Sequence, residues 1–400
     1  MNQAPVVIVG ASMGGLRVAE ALRRFGYSGP ITAIGEEKYA PYNRPPLSKE
    51  VLAAQVSHEA VAFPQRAATA DVNWVLGTRV VTANLEHQTV IDSNGMVHPY
   101  SDLIIATGLR PRRLQLPNGE LAGRHAVRTL DDAMALRADL RPGARVVIMG
   151  SGFIGCETAA TAKKLGCEVT VVGPGSHPIL RPLGVELAKE IQRRQEAQGV
   201  RFRMKSRVLD AVGSSRVEGV VLDDGSILPC DVLIEAIGSH ENTEWLAGND
   251  LDITAGVLTD NKLRAVRADG TVWANVFAIG DVARFPNPIF DTEARRVEHW
   301  NIPTETGKQV GQLIATKYTD QAALPALLAT EFRPIPSFWS DQFDVHLLAY
   351  GLLGLADEVR LLEGSIDADC VFGYYRAGQM VGVCGIGLRS VVQGYRSVFA

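Results

Sequence analysis

The sequence has few cysteines, little net charge and no long apolar run. No two of its five cysteines have C-x-x-C or C-x-x-x-x-C spacing, so neither a disulfide framework nor a redox pair is predicted. A formal charge of −4 at pH 7 gives no support to nucleic-acid binding. No apolar run reaches the roughly 18 residues of a membrane span, so we expect no membrane segment. We predict no metal site.

The beginning of the chain also lacks features of a targeted protein. Residues 1–5 lead directly into an apolar strand, without the basic and apolar regions of a signal peptide. We therefore expect a cytoplasmic protein. Its 400 residues, 46% of them hydrophobic and 21% charged, predict a globular chain of two or three domains.

The most informative stretch present is a glycine turn in the middle of the chain. Gly150, Gly152 and Gly155 have the G-x-G-x-x-G spacing of a dinucleotide-binding turn, and they lie between a β-branched strand and a helical run. The first glycine permits the tight turn, the second lets a pyrophosphate approach the backbone, and the third lets the helix pack on the strand. The alternative is a glycine turn that binds no ligand.

A second turn of the same type begins at Gly10. Gly10, Ser12 and Gly15 follow the spacing, although Ser12 replaces the usual middle glycine, and a helix is predicted from about Leu16 to Phe25. The next predicted strand ends just before two acids, Glu36 and Glu37. An acid there accepts hydrogen bonds from the ribose of an adenosine, and we favour Glu36 for this role over a solvated loop charge.

Two such turns, 140 positions apart, predict two bound dinucleotides. An enzyme with two such sites usually pairs FAD with a nicotinamide cofactor. The strand stretches 102–108 and 231–238 both end in glycine, and this echo predicts two similar domains. The strand before Gly280 and Asp281 places a carboxylate where it can meet a ribityl hydroxyl, although Asp281 could instead only cap a helix.

The loop from Tyr42 to Lys49 is stiffened by two prolines and carries two cations. Arg44 can meet a phosphate and Lys49 can lie near a reactive ring, whereas the alternative makes both of them surface charges. After the central βαβ unit, Gly173 occupies the position where an acid would select NADH, and no arginine is adjacent to hold the 2′-phosphate of NADPH. The residues therefore leave that choice open.

Taken together, these motifs resemble the FAD-dependent ferredoxin, rubredoxin and putidaredoxin reductases of oxygenase electron-transfer chains, a group of glutathione-reductase-like flavoproteins. The resemblance covers nearly the whole chain. Its most specific parts are residues 44–49 (RPPLSK), 150–157, 280–283 (GDVA), 298–300 (EHW) and 338–342 (FWSDQ).

The resemblance implies an α/β fold with two glutathione-reductase-like, Rossmann-type domains and a smaller C-terminal α+β domain. FAD would bind residues 1–108 and 238–318, NAD(P)H would bind residues 109–237, and residues 319–400 would form part of the partner surface. NADH is favoured over NADPH. The expected partner is a [2Fe-2S] ferredoxin or rubredoxin that feeds an oxygenase, and the chain would be a monomer or homodimer.

The resemblance also implies roles for single residues. Glu157, paired with Lys49, would meet the nicotinamide carboxamide, and Trp300 would lie close to the isoalloxazine, so these three are the expected catalytic residues. Cofactor binding is predicted for Gly10, Ser12, Gly14, Gly15, Glu36, Arg44, Lys49, Val80, Ala106, Thr107, Gly108, Gly150, Gly152, Phe153, Ile154, Gly155, Glu157, Ile237, Gly238, Gly280, Asp281, Glu298, His299 and Trp300.

The expected reaction is hydride transfer from the nicotinamide to the flavin, followed by single-electron transfer to the ferredoxin. Residues 44–49 contain no cysteine, so the transfer to a disulfide that glutathione reductases perform is not expected. Two alternatives remain: an NAD(P)H oxidase or quinone reductase, and a redox-sensing interaction protein like apoptosis-inducing factor. We expect Arg295, Arg296, Arg389 and Arg396 as candidates for a ferredoxin-docking patch or, equally, as solvated surface charges.

Overall fold

A computed structural model describes residues 4–54, 56–116 and 120–399. The chain folds into two compact units. The first contains Met1–Asn43, Ala62–Arg110 and Glu241–Ser337, and the second contains Arg44–Val61, Pro111–His240 and Phe338–Ala400. Within the described residues, no helix combines the length and apolar character needed to cross a bilayer.

The helices include short and long segments. In chain order the α-helices of the described ranges are Met13–Arg24, Glu50–Ala53, His58–Val61, Leu130–Asp139, Phe153–Lys164, Leu180–Ala197, Ile302–Thr319, Leu324–Ala329 and Arg389–Gly394. Short 3₁₀ helices occur at Pro45–Ser48, Ala67–Thr69, Glu244–Leu246, Gly280–Val282, Leu353–Leu355 and Tyr395–Phe399.

The strands are mostly short and differ in burial, from the fully buried Val6–Val9 to the largely exposed Glu358–Gly364. They are Val6–Val9, Ile31–Ile34, Asn73–Val75, Val80–Asn84, Thr89–Asp92, Val97–Pro99, Asp102–Ile105, Leu109–Pro111, Arg124–His125, Arg145–Met149, Glu168–Gly173, Arg201–Met204, Val208–Val212, Gly219–Leu222, Ile227–Pro229, Val232–Glu235, Ser239–Glu241, Val257–Leu258, Arg264–Val266, Val272–Ala278, Ala283–Asn287, Asp291–Arg296, Ser337–Gln342, Val345–Gly351, Glu358–Gly364, Cys370–Arg376 and Gln379–Ile386.

The first unit is built on a mainly parallel sheet. Its strands lie in the order Arg264–Val266, Val272–Ala278, Asp102–Ile105, Val6–Val9, Ile31–Ile34 and Asn73–Val75. All four residues of Val6–Val9 are buried, as expected of a parallel strand that is covered on both faces. The chain leaves this strand at Gly10, so the first glycine turn lies at the carboxyl end of a central strand, where open α/β sheets bind their ligands.

Glycines allow two helices of the first unit to approach closely. A Cβ atom at Gly307 would lie 3.0 Å from Cβ of Arg17, and one at Gly311 would lie 2.5 Å from Cβ of Ala21. Helix Ile302–Thr319 therefore packs directly against helix Met13–Arg24, which follows the glycine turn.

The second unit repeats this design. A parallel sheet has the order Arg201–Met204, Glu168–Gly173, Arg145–Met149, Val232–Glu235 and Arg124–His125. Its core combines strand residues such as Ile148 and Val171 with Leu52 and Ala159 from the helices. The central turn at Gly150 again follows the middle strand.

The C-terminal part of the second unit is an antiparallel sheet. Its strand order is Ser337–Gln342, Val345–Gly351, Gln379–Ile386, Cys370–Arg376 and Glu358–Gly364. This sheet and the helix Arg389–Gly394 form the smaller α+β part that the sequence predicts.

The predicted fold class is confirmed, whereas some helix bounds are wrong. The first helix begins at Met13 rather than at Leu16, because Gly14 and Gly15 lie within its first turn instead of before it. The functional domain boundaries stay a prediction. Met1, Asn2 and Gln3, on which the expectation of no signal peptide partly rests, lie outside the described residues.

Candidate active site

The first glycine turn requires glycine for geometric reasons. Gly10 has a φ of +121°, and a Cβ atom there would lie 2.1 Å from the carbonyl oxygen of Ala106. A Cβ at Gly15 would lie 2.2 Å from the carbonyl oxygen of Gly10. The residue between them, Ser12, precedes the helix in an extended conformation and, within the described residues, makes no side-chain hydrogen bond to the first helical turn. The N–H groups of that turn and the Ser12 hydroxyl are therefore available to an anionic ligand.

The two acids after strand Ile31–Ile34 differ in their contacts. The hydroxyl of Tyr42 donates a hydrogen bond of 2.5 Å to Oε2 of Glu37. Glu36 is exposed, and its carboxylate has no hydrogen bond or ion pair with the residues that the structure describes. Glu36 is thus the acid that is open to a ribose.

A second strand end lies beside the first turn. Ala106, Thr107 and Gly108 follow the strand Asp102–Ile105, and Gly108 has a φ of +60°. The Thr107 hydroxyl donates to the carbonyl of Asn242 at 2.7 Å, and the Asn242 amide donates to the carbonyl of Thr107 at 2.9 Å. This reciprocal pair fixes the crossover of the chain at the sheet edge. Val80 is buried at the start of the strand Val80–Asn84.

A third segment, between residues 279 and 306, lies beside the first glycine turn. Gly280 has a φ of +66°, and its N–H donates to the hydroxyl of Thr306 at 3.1 Å. Gly280 and Asp281 form the start of the 3₁₀ helix Gly280–Val282. A Cβ atom added to Gly14 of the first turn would lie 3.3 Å from Ile279 and 3.7 Å from Pro303, so this segment packs directly on the first turn.

The predicted segment Glu298-His299-Trp300 lies in the same unit. Glu298 pairs with Arg296 at 2.9 Å, and the Trp300 indole N–H donates to Oδ1 of Asn43 at 3.0 Å. Burial lowers the pKa of His299 to about 4, so this imidazole is neutral near pH 7. Trp300 is 37% exposed, which leaves part of its ring open to a ligand.

The central turn reproduces the geometry of the first. Gly150 has a φ of +112°, and a Cβ there would lie 2.1 Å from the carbonyl oxygen of Ala236. A Cβ at Gly155 would lie 2.2 Å from the carbonyl oxygen of Gly150. In contrast, a Cβ at Gly152 would meet nothing within 4 Å. The space at Gly152 and the uncapped first turn of the helix Phe153–Lys164 fit a pyrophosphate.

Residues around the central turn have different exposures. Ile154 is 43% exposed, whereas the ring of Phe153 packs on Phe338 with 5.0 Å between centroids. Ile237 is half-buried after the strand Val232–Glu235, and Gly238 is exposed with a φ of +96°. These residues surround the carboxyl end of the parallel sheet.

The end of strand Glu168–Gly173 has no acid, for a visible steric reason. A Cβ atom at Gly173 would lie 2.4 Å from Oγ of Ser151. The serine hydroxyl thus occupies the space in which a longer side chain at position 173 would begin.

The Glu157 carboxylate is held by three side-chain donors of its own unit. Its Oε2 atom lies 2.7 Å from Nζ of Lys49 and accepts a 2.6 Å hydrogen bond from the Ser48 hydroxyl. Its Oε1 atom accepts a 2.6 Å hydrogen bond from the Ser340 hydroxyl. The Glu157 side chain is 5% exposed. An ionised carboxylate has about four acceptor positions, so these three donors leave room for one more.

The loop that carries Lys49 is fastened to the helix of Glu157. The hydroxyl of Thr161, one turn after Glu157, donates to the carbonyl of Ser48 at 2.8 Å. Arg44, at the other end of the loop, donates from Nη1 to the carbonyl of Arg128 at 2.6 Å. The loop is therefore positioned by contacts of its own unit at both ends.

Two residues of this arrangement were not predicted. Ser48 and Ser340 lie inside stretches 44–49 and 338–342, which were singled out as motifs, but neither serine was given a role. The sequence contains a weak signal for Ser340. It shares one strand face with Phe338 and Gln342, and two polar residues on a face that begins with phenylalanine are unusual in a core.

The cysteines do not form a redox centre. All five are free and buried. Burial raises the pKa of Cys230 to about 11 and also raises the pKa values of Cys156 and Cys384. They are thus poor nucleophiles, and within the described residues no cluster of metal-ligating side chains occurs either.

The predicted docking arginines are mostly paired. Arg295 lies 3.0 Å from Asp291, Arg296 lies 3.1 Å from Glu241, and Arg389 lies 3.5 Å from Asp341. Their charges are balanced by neighbouring carboxylates, which weakens the case for a docking patch made of these residues.

Comparison with known proteins agrees with this geometry. The model of the family described as pyridine nucleotide-disulphide oxidoreductase matches residues 4–307. The chain belongs to this family. Members of the pyridine nucleotide-disulphide oxidoreductase family combine a flavin with a pyridine nucleotide.

Relatives extend the match to the whole chain. The ferredoxin–NAD(+) reductase component of an anthranilate 1,2-dioxygenase system from Burkholderia cepacia is 33% identical over 100% of this chain and 95% of its own length. Putidaredoxin reductase of Pseudomonas putida is 30% identical over 94% of this chain and 86% of its own.

Solved structures give the same result. The crystal structure of a covalent putidaredoxin reductase–putidaredoxin complex matches with a TM-score of 0.89 and 28% identity, covering 100% of this chain and 93% of that chain. A ferredoxin reductase from Rhodopseudomonas palustris matches with a TM-score of 0.88 and 31% identity, covering 98% and 94%. The resemblance predicted from the sequence, and with it the assignment as an oxidoreductase, is confirmed.

Proposed function

We propose that this chain is an FAD-dependent, NADH-oxidising ferredoxin reductase that supplies single electrons to a [2Fe-2S] ferredoxin of an oxygenase system. The observation that carries the proposal is the Lys49–Glu157 ion pair beside the central turn. Disulfide reductases of the same fold need a cysteine pair in the stretch 44–49, where this chain has the lysine instead. The chain therefore keeps the dinucleotide sites but not the thiol chemistry.

We assign FAD to the first unit. The helix start after Gly10 and Ser12 would hold the pyrophosphate. The Glu36 carboxylate, which has no partner among the described residues, would accept hydrogen bonds from the adenosine ribose. Asp281 would bind the ribityl chain, and Trp300 would lie near the ring system. Arg44 belongs to the second unit, and its role in cofactor binding stays a prediction.

We assign NADH to the central turn of the second unit. The open space at Gly152 would receive the pyrophosphate, and the acceptor position left on Glu157 would accept from the N–H of the nicotinamide carboxamide. NADH is proposed over NADPH because position 173 provides no cation for a 2′-phosphate, and because the relative from Burkholderia cepacia is named for NAD(+).

The protein contributes position and electrostatics rather than acid–base chemistry. The chemistry supplied by FAD, when bound, would be the conversion of a hydride into two single electrons for the acceptor and one proton released to solvent. Lys49, held by Glu157, provides a fixed positive charge that would stabilise negative charge on a neighbouring ligand. The serine hydroxyls on Glu157 fix the direction in which that carboxylate accepts its last hydrogen bond.

The proposed partner follows from the relatives and from the missing thiols. Relatives with matching length are named as ferredoxin, rubredoxin or putidaredoxin reductases. A flavoprotein without an accessible cysteine pair must pass its electrons onward to another acceptor. A one-electron iron–sulfur protein is the acceptor that fits both facts.

Steady-state turnover with alternative acceptors tests this function. The FAD-loaded protein is mixed with NADH or NADPH and with a [2Fe-2S] ferredoxin, a small quinone or dioxygen alone. We expect the highest kcat/KM with NADH and ferredoxin. Equal rates with quinone or dioxygen would favour the oxidase or quinone reductase alternative, and equal rates with NADPH would remove the proposed NADH preference.

A further inference from the structure

Behind Glu157 lies a chain of buried polar side chains that the proposed reaction does not itself require. Ser340 and Gln342, on the C-terminal strand Ser337–Gln342, and Gln195, on helix Leu180–Ala197, are each 0% exposed. Polar side chains are costly to bury unless they are hydrogen-bonded, so their presence needs an explanation.

The hydrogen bonds that link these buried polar side chains all donate towards Glu157. An ionised carboxylate can only accept, so the Ser340 hydroxyl must donate to Oε1 of Glu157, at 2.6 Å. The Ser340 oxygen is then left to accept from Nε2 of Gln342, at 2.9 Å. The carbonyl of Gln342 accepts in turn from Nε2 of Gln195, at 2.6 Å. Gln195 thus orients Gln342, Gln342 orients Ser340, and Ser340 orients the carboxylate of Glu157.

Phe338, on the same strand as Ser340, contacts the helix that follows the central turn. Phe338, Ser340 and Gln342 alternate with Asp341, so they share one face of the strand. On that face, Phe338 packs against Phe153 of the helix that carries Glu157. Asp341 lies on the other face, where its Oδ1 atom is 2.7 Å from Nδ1 of His346.

We propose that Ser340 is a positioning residue for Glu157, so that the C-terminal sheet completes the recognition of a primary carboxamide at the nicotinamide site. The proposal rests on the proposed function. Ser48 and Lys49 hold Oε2, while Ser340 alone holds Oε1 among the described residues, with Gln342 and Gln195 behind it. The remaining acceptor position of Glu157 therefore has a fixed direction, which an amide N–H can match and a methyl group cannot.

Binding to the oxidised, FAD-loaded full chain tests this role without turnover. Titration calorimetry would compare NAD⁺, its 3-acetylpyridine analogue, which lacks the amide N–H, and ADP-ribose, which lacks the ring. The wild-type protein should bind NAD⁺ more tightly than the analogue. Ser340→Ala should reduce that ratio by about tenfold, the scale of a hydrogen bond to a charged group, and should leave ADP-ribose binding within about twofold.

Two further variants make the result specific. Gln342→Met keeps the side-chain volume but removes the N–H that orients Ser340, so it should lower the ratio in the same direction and by less. Asp341→Asn, on the opposite face of the same strand, is the matched control and should change neither ratio nor ADP-ribose affinity. Anaerobic flavin reduction by NADH should slow about tenfold in Ser340→Ala and remain unchanged in the control.

Each remaining outcome counts against the proposal. A Ser340→Ala protein that keeps the NAD⁺ preference and the reduction rate would overturn the positioning role. Equal weakening of NAD⁺, the analogue and ADP-ribose would show a general structural loss and would also overturn it. If NADH fails to reduce the wild-type flavin, the proposed function fails and this proposal fails with it. If NADH reduces the flavin normally in the wild-type protein and equally fast in Ser340→Ala, only the positioning role of Ser340 is overturned.

Discussion

The Nζ atom of Lys49 lies 2.7 Å from Oε2 of Glu157, and both side chains are largely shielded from solvent. Removing one partner of such a pair leaves the other charge uncompensated, which is costly at a buried site. The two residues are 108 positions apart in the chain (157 minus 49) and are brought together by the contact of the loop 44–49 with helix Phe153–Lys164.

The first prediction concerns this pair. Glu157→Gln should retain FAD but slow flavin reduction by NADH by at least about tenfold, because the amide cannot balance Lys49 or accept as strongly from the carboxamide. Anaerobic stopped-flow absorbance measures the rate. Glu168→Gln is the control, since Glu168 is exposed and its ion pair with Arg201 is also exposed. Equal rates in both variants would contradict the assigned role.

The second prediction separates folding from ligand binding at the central turn. Gly150→Ala places a methyl group 2.1 Å from the Ala236 carbonyl at a positive φ, so it should destabilise the protein by about 1–3 kcal/mol or more. Gly152→Ala meets nothing within 4 Å and should fold normally, yet weaken NAD⁺ binding by about tenfold because the methyl occupies the pyrophosphate approach. Thermal unfolding and calorimetry measure the two effects. A stable Gly150→Ala protein, or unchanged affinity in Gly152→Ala, would contradict this interpretation.

The third prediction distinguishes two neighbouring acids. Glu36→Gln should weaken FAD binding to the apoprotein by about tenfold, since a charged acceptor for the ribose hydroxyls is lost. Glu37→Gln should change FAD affinity by less than about twofold, because the glutamine oxygen can still accept from Tyr42. Fluorescence quenching of added FAD gives both affinities. A larger effect at Glu37 would move the ribose role to that residue.

The fourth prediction is a pH dependence caused by His299. In the folded chain its pKa is lowered to about 4 by burial, whereas the unfolded chain takes up the proton near the ordinary value of 6.5. The unfolded state therefore binds more protons between these values, and the stabilising contribution present above pH 6.5 is lost as the pH falls towards 4. At pH 5 the loss is about 2 kcal/mol.

The test compares the wild-type chain with His299→Gln. Thermal unfolding midpoints measured from pH 7 to pH 5 should fall less steeply in the variant, because glutamine takes up no proton. Parallel curves for the two proteins would show that His299 does not remain neutral in the folded state.

The fifth prediction is a coupling between Ser151 and Gly173. Gly173→Glu alone should weaken NAD⁺ binding, because its Cβ would lie 2.4 Å from the Ser151 hydroxyl. Adding Ser151→Gly should relieve the clash, restore binding and increase the preference for NADH over NADPH by about tenfold, since the new carboxylate accepts from the ribose and repels a 2′-phosphate. A double variant no better than the single one would contradict the steric account.

The sequence predicts the local parts of this site better than its long-range contacts. Glycine spacing identifies Gly10 and Gly150 because a tight strand–helix turn imposes the same steric demand in every chain. The predicted helix start, Leu16, is later than the observed start at Met13, because glycines within a first helical turn give the same sequence pattern as glycines before it. Ser340 had no assigned role because it meets Glu157 across 183 positions, which no local pattern reports.

Anaerobic stopped-flow mixing of the FAD-loaded protein with NADH, followed by an oxidised [2Fe-2S] ferredoxin, tests the central claim most directly. The account predicts rapid loss of the flavin absorbance with NADH and then rapid reduction of the ferredoxin as the flavin band returns. A protein that takes up no FAD, or whose reduced flavin passes no electrons to any of several ferredoxins, would contradict it.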